Sequence, residues 1–189
     1  LALKDYERVV GMDLISAQLY VKRGNVYGTT GNFEKAIADY TKGIELKQDY
    51  ADAYYNRGWV YLKQKNYRAA AGDLKKLLEL QPGDIDAMFT LAEVYLMLNE
   101  QESLVNVLVQ IRRTGVKAGN EPVLLILELI QKIVSGSTIH DPAKKLKAAI
   151  EKYGRIKWSL EELSLWAESS QELNEHQKLM VKELLDTAG

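Results

Sequence analysis

The sequence predicts an all-α fold built from repeated pairs of antiparallel helices. Sliding the sequence along itself by 34 residues, as from Tyr20 to Tyr54, superposes identical residues without a gap. Apolar residues within each unit recur three and four positions apart, which is the spacing of one helix face. In the first unit, Gly31 and Asn32 separate two such runs, and both suit the left-handed conformation that ends a helix. Each unit is therefore predicted to be a helical hairpin.

The internal repeat is clearest in two units that share many residues. The matched pairs include Tyr20 and Tyr54, Arg23 and Arg57, Gly24 and Gly58, Tyr27 and Tyr61, Asn32 and Asn66, Ala36 and Ala70, and Asp39 and Asp73. Each of these two glycines stands inside the first predicted helix of its unit, where glycine lowers helix stability by about 1 kcal/mol relative to alanine. We therefore expect another part of the chain to pass close to Gly24 and Gly58.

Short polar residues mark the predicted helix starts. Asp49 and Asp84 stand where an N-cap accepts the first free amides, and Asp141 precedes Pro142 in the same way. Two serine–glutamate pairs have capping-box spacing, namely Ser159 with Glu162 and Ser169 with Glu172. The repeat period fails beyond residue 118, where four more helices are predicted: Glu121 to Val134, Pro142 to about Tyr153, Ser159–Glu168 and Ser170–Thr187.

The units resemble the tetratricopeptide repeat, which has an aromatic residue at its fourth place, a small residue at its eighth and alanine at its twentieth. Residues 51–84 fit the pattern best, with Tyr54, Gly58, Tyr61, Ala70, Leu74 and Pro82 in place. Residues 17–50 lack only the proline. Residues 85–118 form a drifted unit, with Leu104 where a small residue belongs.

The resemblance implies a right-handed superhelical array of these helix pairs, a TPR solenoid. Residues 1–16 continue the register backwards and are predicted to be the second helix of a truncated repeat, with further repeats upstream. Residues 119–189 are predicted to be a helical cap that shields the last repeat from water. A separate helical module with its own partner is the alternative for this region.

Composition and motifs argue against most other classes of function. The chain has 189 residues, a formal net charge of −1, two histidines and no cysteine. Disulfides and thiolate metal sites are excluded, and no overall positive charge attracts nucleic acid. The chain contains no phosphate-binding or nucleophile motif, and its most apolar stretch, 123–134, is too short to span a bilayer. We expect no enzyme activity, cofactor, bound metal, nucleic-acid binding or membrane insertion.

Two weaker features have ordinary explanations. Glu172 and His176 lie one helical turn apart, but no third metal ligand has comparable spacing. A basic run from Lys144 to Lys157 is interrupted by Glu151, which favours a solvated helix face over a phosphate-binding patch. The compartment is unassigned, and the cytoplasm is the default expectation because no secretory segment opens the sequence.

A second apolar stripe in the best repeat indicates the function. Tyr55, Trp59 and Leu62 recur at helical spacing, about 100° around the helix from the core stripe. The resemblance implies that this stripe faces a concave groove where a partner peptide or helix binds. The predicted groove residues are Val21, Lys22, Asn25, Tyr55, Asn56, Trp59, Phe89, Thr90 and Glu93. The chain is thus predicted to be a non-catalytic scaffold for a protein or peptide partner.

One subtype of the family is disfavoured. Repeats that clamp the C-terminal carboxylate of heat-shock chaperones use two asparagines, which Asn25 and Asn56 match. They also use Lys or Arg at three places, which are Val21, Asp86 and Thr90 in this chain.

Self-association is the alternative function. The truncated half repeat would expose Ala2, Tyr6 and Val9, a face that could pair two copies into a homo-oligomer. In that alternative the C-terminal helices fold across the groove and cover Trp59.

Overall fold

The computed structural model describes residues 4–6, 16–115, 120–137, 139–153, 161–171 and 173–188, and these ranges contain helices and turns. The all-α prediction is confirmed. The chain divides into two compact units, Leu1–Ala87 and Met88–Gly189. This division falls inside the predicted third repeat, residues 85–118. Of the predicted half repeat, 4–6 are helical, and Ala2 and Val9 lie outside the described residues.

The first unit consists mainly of two helical hairpins. Its helices are α1 (Ala17–Thr29), α2 (Phe33–Leu46), α3 (Ala51–Lys63) and α4 (Tyr67–Leu80). Helix α1 packs against α2 and α3 against α4, while α3 also packs against α2 and α1. The first helices of successive repeats therefore lie side by side.

The second unit continues with helices of similar length. Helix α5 (Ile85–Met97) spans the division, and α6 (Gln101–Thr114), α7 (Glu121–Val134), α8 (Pro142–Tyr153), α9 (Glu161–Ser169) and α10 (Glu175–Ala188) follow. Helix α7 packs against α6 and α8, and α10 packs against α7, α8 and α9. Four apolar side chains of α7 are fully buried: Leu124, Ile126, Leu127 and Ile130.

The turn inside each hairpin keeps one backbone conformation while its residue type changes. Gly31 has a φ of +77°, and the residues one and two repeats later, Lys65 and Asn99, have φ values of 58° and 55°. The left-handed prediction is confirmed for Gly31 and is wrong for Asn32. Asn32 has a φ of −84° and is the N-cap of α2, because the preceding residue has already turned the chain.

Two predicted N-caps of single residues are confirmed and one is wrong. Asp84 Oδ1 accepts a hydrogen bond from the amide of Ala87 at 2.9 Å, and Asp141 Oδ1 accepts one from that of Lys144 at 3.0 Å. Asp49 is not a cap. Helix α3 has Tyr50 as its N-cap, and the backbone carbonyl of Asp49, not its carboxylate, accepts from the amide of Ala51.

The last helix begins later than predicted. Asn174 and Gln177 form its capping box, with hydrogen bonds of 2.9 and 3.0 Å in the two directions, so α10 starts at Glu175 and not at 170. The Ser169 hydroxyl instead donates to the carbonyl of Leu165 at 2.7 Å, inside α9. The pair Ser159 and Glu162, and Glu172, fall outside the residues and side chains that the structure describes.

A paired arginine and aspartate join the two helices of each hairpin in the first unit. Arg23 Nε and Nη2 each donate to the carboxylate of Asp39 at 2.7 Å, and Arg57 repeats the arrangement with Asp73 at 2.8 and 2.7 Å. Both aspartates are buried, at 5% and 6% exposure. Hydrogen bonding to Asp73 is the main cause that raises the pKa of Arg57, so the guanidinium stays protonated.

Tyrosine rings flank each guanidinium. The Arg23 guanidinium carbon lies 5.6 Å from the centre of the Tyr20 ring and 5.8 Å from that of Tyr27. Arg57 lies 5.9 Å from both Tyr54 and Tyr61. Aromatic faces attract a cation at these distances and shield it from water. The recurrence of tyrosine, arginine and tyrosine in the sequence is thus one structural device used twice.

The third repeat replaces the ion pair with two apolar residues. Leu91 and Val107 occupy the places of Arg57 and Asp73, and both are buried, at 3% and 6% exposure. A buried ion pair and a well-packed apolar pair can be similarly stable, whereas one buried charge without its partner is costly. Both members of the pair are replaced together in the third repeat, so neither charge is left buried without its partner.

We predict that Asp73→Val lowers the free energy of unfolding by about 3 kcal/mol, because Arg57 loses its buried partner. The double variant Arg57→Leu/Asp73→Val should recover most of that loss, because it reproduces the apolar pair of the third repeat. Urea denaturation monitored by circular dichroism measures the free energy of unfolding of both variants. A double variant no more stable than Asp73→Val would contradict the account.

The two repeated helix glycines are predicted to differ in their tolerance of alanine. A Cβ atom at Gly24 would lie 2.8 Å from Tyr40 Cε1, whereas at Gly58 the nearest atom is 3.4 Å away. Gly24→Ala should cost about 1–3 kcal/mol of stability, because the Tyr40 ring must move. Gly58→Ala should leave stability unchanged or raise it by up to about 1 kcal/mol, through helix propensity. Thermal denaturation of the two variants compares them, and equal losses would refute this distinction.

Candidate functional site

The exposed faces of α1 and α3 line a groove made of two adjoining pockets. The pockets have volumes of about 460 and 360 Å³, and both lie in the first unit. Asn25, Tyr55 and Asn56 line both of them. Six predicted groove residues are brought together here: Val21, Lys22, Asn25, Tyr55, Asn56 and Trp59. We call the larger space the acidic pocket and the smaller one the aromatic pocket.

The acidic pocket is named for its charged lining. It contains three aspartates, Asp52, Asp84 and Asp86, and one cation, Lys22. Its remaining lining is Gln18, Val21, Asn25, Tyr50, Tyr55, Asn56, Leu77 and Gln81. Carboxylates therefore outnumber ammonium groups on its walls by three to one.

The aromatic pocket has no charged residue in its lining. It is formed by Asn25, Gly28, Thr29, Tyr40, Tyr55, Asn56 and Trp59. Trp59 is 38% exposed, which is unusual for so large an apolar side chain. The ammonium nitrogen of Lys63, on the same helix, lies 5.6 Å from the centre of the Trp59 ring, so part of the indole lies next to a cation. Leu62, the third member of the predicted stripe, is buried and lines neither pocket.

Tyr40 fixes the orientation of the Asn25 side chain. The Tyr40 hydroxyl donates to Asn25 Oδ1 at 2.9 Å. Burial of the ring, and next the charge of Asp39, raise the pKa of Tyr40 to about 12, so the hydroxyl remains a donor at neutral pH. With its oxygen engaged, Asn25 presents its NH₂ group to an incoming acceptor.

Asn56 offers a second carboxamide in the same groove. It is half-buried and makes no hydrogen bond within the described part of the chain. Its oxygen and its NH₂ group can therefore both pair with a ligand. Two carboxamides shared by both pockets suit the alternating carbonyl and amide groups of a peptide backbone.

The other three predicted groove residues are not on an open surface. Phe89, Thr90 and Glu93 are buried in α5, at 0%, 6% and 4% exposure, and line neither pocket. Residues 87–96 are mostly apolar and are all buried. Helix α5 therefore has no solvent-facing side along this stretch. An open binding surface that includes these three has no support from the structure.

The acidic wall of the groove is absent from the groove residues predicted from sequence. Asp52 lies in the first turn of α3, Asp84 precedes α5, and Leu77 and Gln81 come from α4 and its end. Asp52 stands three residues before Tyr55 on the same helix and extends the stripe. Leu77, Gln81 and Asp84 reach the pocket from other segments, about which a stripe on one helix carries no information. Asp86, at a place where carboxylate-binding repeats carry a cation, was a further indication of an acidic wall in the sequence.

A metal-ion cluster and a membrane-spanning helix are both absent from the described ranges. They contain no group of three His, Asp or Glu side chains that could hold a metal ion, and Glu172 lies outside them. No described helix is both long and apolar enough to cross a bilayer.

Comparison with protein families identifies the repeats. Residues 24–65 match a family described as the TPR repeat, and residues 51–84 match the tetratricopeptide repeat. No curated protein sequence matches the chain significantly.

Solved structures share the fold. A crystal structure of MamA is 24% identical with a TM-score of 0.69, over 80% of this chain and 86% of that chain. YrrB, a TPR protein with an unusual peptide-binding site, is 16% identical with a TM-score of 0.61, over 96% and 91%. PilF of Pseudomonas aeruginosa is 17% identical with a TM-score of 0.63, over 88% and 72%. Residues 24–84 therefore carry tetratricopeptide repeats, and the chain shares the fold of these repeat structures.

Proposed function

We propose that this protein is a non-catalytic scaffold that binds a segment of a partner protein in the groove between α1 and α3. The observation that carries the proposal is the exposed Trp59 ring beside two available carboxamides in one concave surface. Tetratricopeptide-repeat proteins bind protein or peptide partners, and the structurally similar YrrB has a peptide-binding site. The fold alone would not assign a function to this groove.

The groove supplies the two parts that peptide recognition needs. Trp59 and Tyr55 provide aromatic area that can be buried at low rotamer cost, as the anchor residues of many interfaces do. Asn25 and Asn56 provide hydrogen bonds to the backbone of an extended or helical segment. Because Tyr40 already holds the Asn25 carboxamide in place, binding a segment costs less side-chain entropy at Asn25.

We propose that residues 119–189 close the array of repeats. Helix α7 packs against α6, the second helix of the third repeat. Arg112 on α6 donates to Glu121 at 2.9 Å and to both oxygens of Glu128 on α7, at 2.9 Å for the nearer one. Helix α10 then packs on α7, where Gln177 donates to the carbonyl of Ile133 at 2.9 Å. A terminal repeat needs such a cover to keep its apolar face from water.

We predict that Trp59→Ala weakens peptide binding by about 2 kcal/mol, or roughly thirtyfold. Ligands are obtained by selecting displayed peptides of about 12 residues on the immobilised protein, and their affinities are measured by fluorescence anisotropy. Leu46→Ala is the matched control, because Leu46 is apolar and 47% exposed in the same unit but lines neither pocket. Selected peptides that bind both variants like the native protein would refute the groove.

Trp59 fluorescence gives a second, independent test. The chain has three tryptophans, so the double variant Trp158→Phe/Trp166→Phe leaves Trp59 as the sole emitter. We expect acrylamide to quench this emission in the free protein, because 38% of the side chain is exposed, and a bound peptide to protect it. Protection before any peptide is added would mean that the groove is already covered, which contradicts the proposal.

A further inference from the structure

We infer that the partner segment is cationic and places a lysine or arginine side chain in the acidic pocket while an apolar side chain rests on Trp59. This inference rests on the proposed function, since it names the chemistry of the segment bound in the groove. It follows from charge complementarity between the pocket lining and its occupant. A cation within reach of these aspartates gains attraction in a concave, partly desolvated space.

Two aspartates of the acidic pocket, Asp52 and Asp84, have bonding capacity to spare. Asp52 is exposed and forms no ion pair with any residue that the structure describes. Asp84 uses Oδ1 to cap α5 at the amide of Ala87, and its Oδ2 accepts no hydrogen bond from the described residues. Lys22, the cation of this lining, is exposed and has no ion pair among those residues. A guanidinium or ammonium group can thus bind without displacing an existing ion pair of Asp52 or Asp84.

The pocket also offers aromatic faces to a cation. Tyr50 and Tyr55 line the same space as the aspartates. The ammonium of Lys47 already lies 5.2 Å from the centre of the Tyr50 ring, so one of these two rings has a cation of the chain beside it. Carboxylates and aromatic rings together favour lysine or, more strongly, arginine, whose planar guanidinium pairs with the former and stacks on the latter.

The two pockets differ in charge, and this difference orders the bound segment. The aromatic pocket has no charged lining, and the acidic pocket carries three aspartates against one lysine. Asn25, Tyr55 and Asn56 belong to both, so one continuous segment can occupy both. The matching ligand has a basic residue near an apolar one. An acidic segment or a terminal carboxylate would meet Asp52, Asp84 and Asp86 and be repelled.

The test uses the peptides selected on the native protein. We expect them to be enriched in lysine or arginine near an aromatic or aliphatic residue, and replacing the basic residue by glutamine should weaken binding about tenfold. Asp52→Asn, and the double variant Asp52→Asn/Asp86→Asn, should weaken binding of the basic peptide about three- to tenfold per aspartate at low salt. These losses should shrink at about 1 M NaCl, where the Debye length is near 3 Å.

Asp49→Asn is the matched control, because Asp49 is exposed in the same unit and lines neither pocket. Equal losses from Asp49→Asn and Asp52→Asn would overturn the inference, since general surface charge would then explain the binding. Peptides that depend on Trp59 but show no basic enrichment and no response to Asp52→Asn would also overturn it, while the proposed function would stand. If no selected peptide depends on Trp59, the proposed function and this inference both fail.

Discussion

The ion pair between arginine and aspartate is the constraint on which the first unit depends. A charge enclosed within a hairpin is stable only while its partner stays within hydrogen-bonding distance. Arg23 on α1 and Asp39 on α2 therefore fix the approach of their two helices, and Arg57 and Asp73 fix that of α3 and α4. Apolar packing alone is less directional, because it tolerates sliding of one helix along another.

The same arginines connect the repeats to the groove. Arg57 Nη1 donates to Thr41 Oγ1 on α2 at 2.8 Å, so the second hairpin is hydrogen-bonded to the first. The close packing of Tyr40 against Gly24 sets the distance between α1 and α2, and the Tyr40 hydroxyl then reaches Asn25. The geometry of the binding surface thus follows from interactions that lie beneath it.

The periodic part of the chain could be predicted well from sequence because its information is local. The 34-residue recurrence located the hairpins, and helical spacing brought Tyr55 and Trp59 to one exposed surface with Asn25. Asp52 follows from the same spacing, because it stands one turn before Tyr55 on its helix, but Asp84 and Asp86 could not be placed beside it, because they come from the start of another helix whose position depends on packing. The burial of Phe89 was missed because an apolar helix gives no sequence signal of which face, if any, meets water.

The first two repeats differ at the positions where they would touch a ligand. Asn25 in the first repeat corresponds to Trp59 in the second, Lys22 to Asn56 and Val21 to Tyr55, although the ion-paired arginine and aspartate and the tyrosines that flank them are identical. In a groove of identical repeats, a segment could shift by one repeat and find the same contacts again. Here a shifted or reversed segment would meet a carboxamide in place of an indole, so divergence of the repeats gives the groove a single register and a direction.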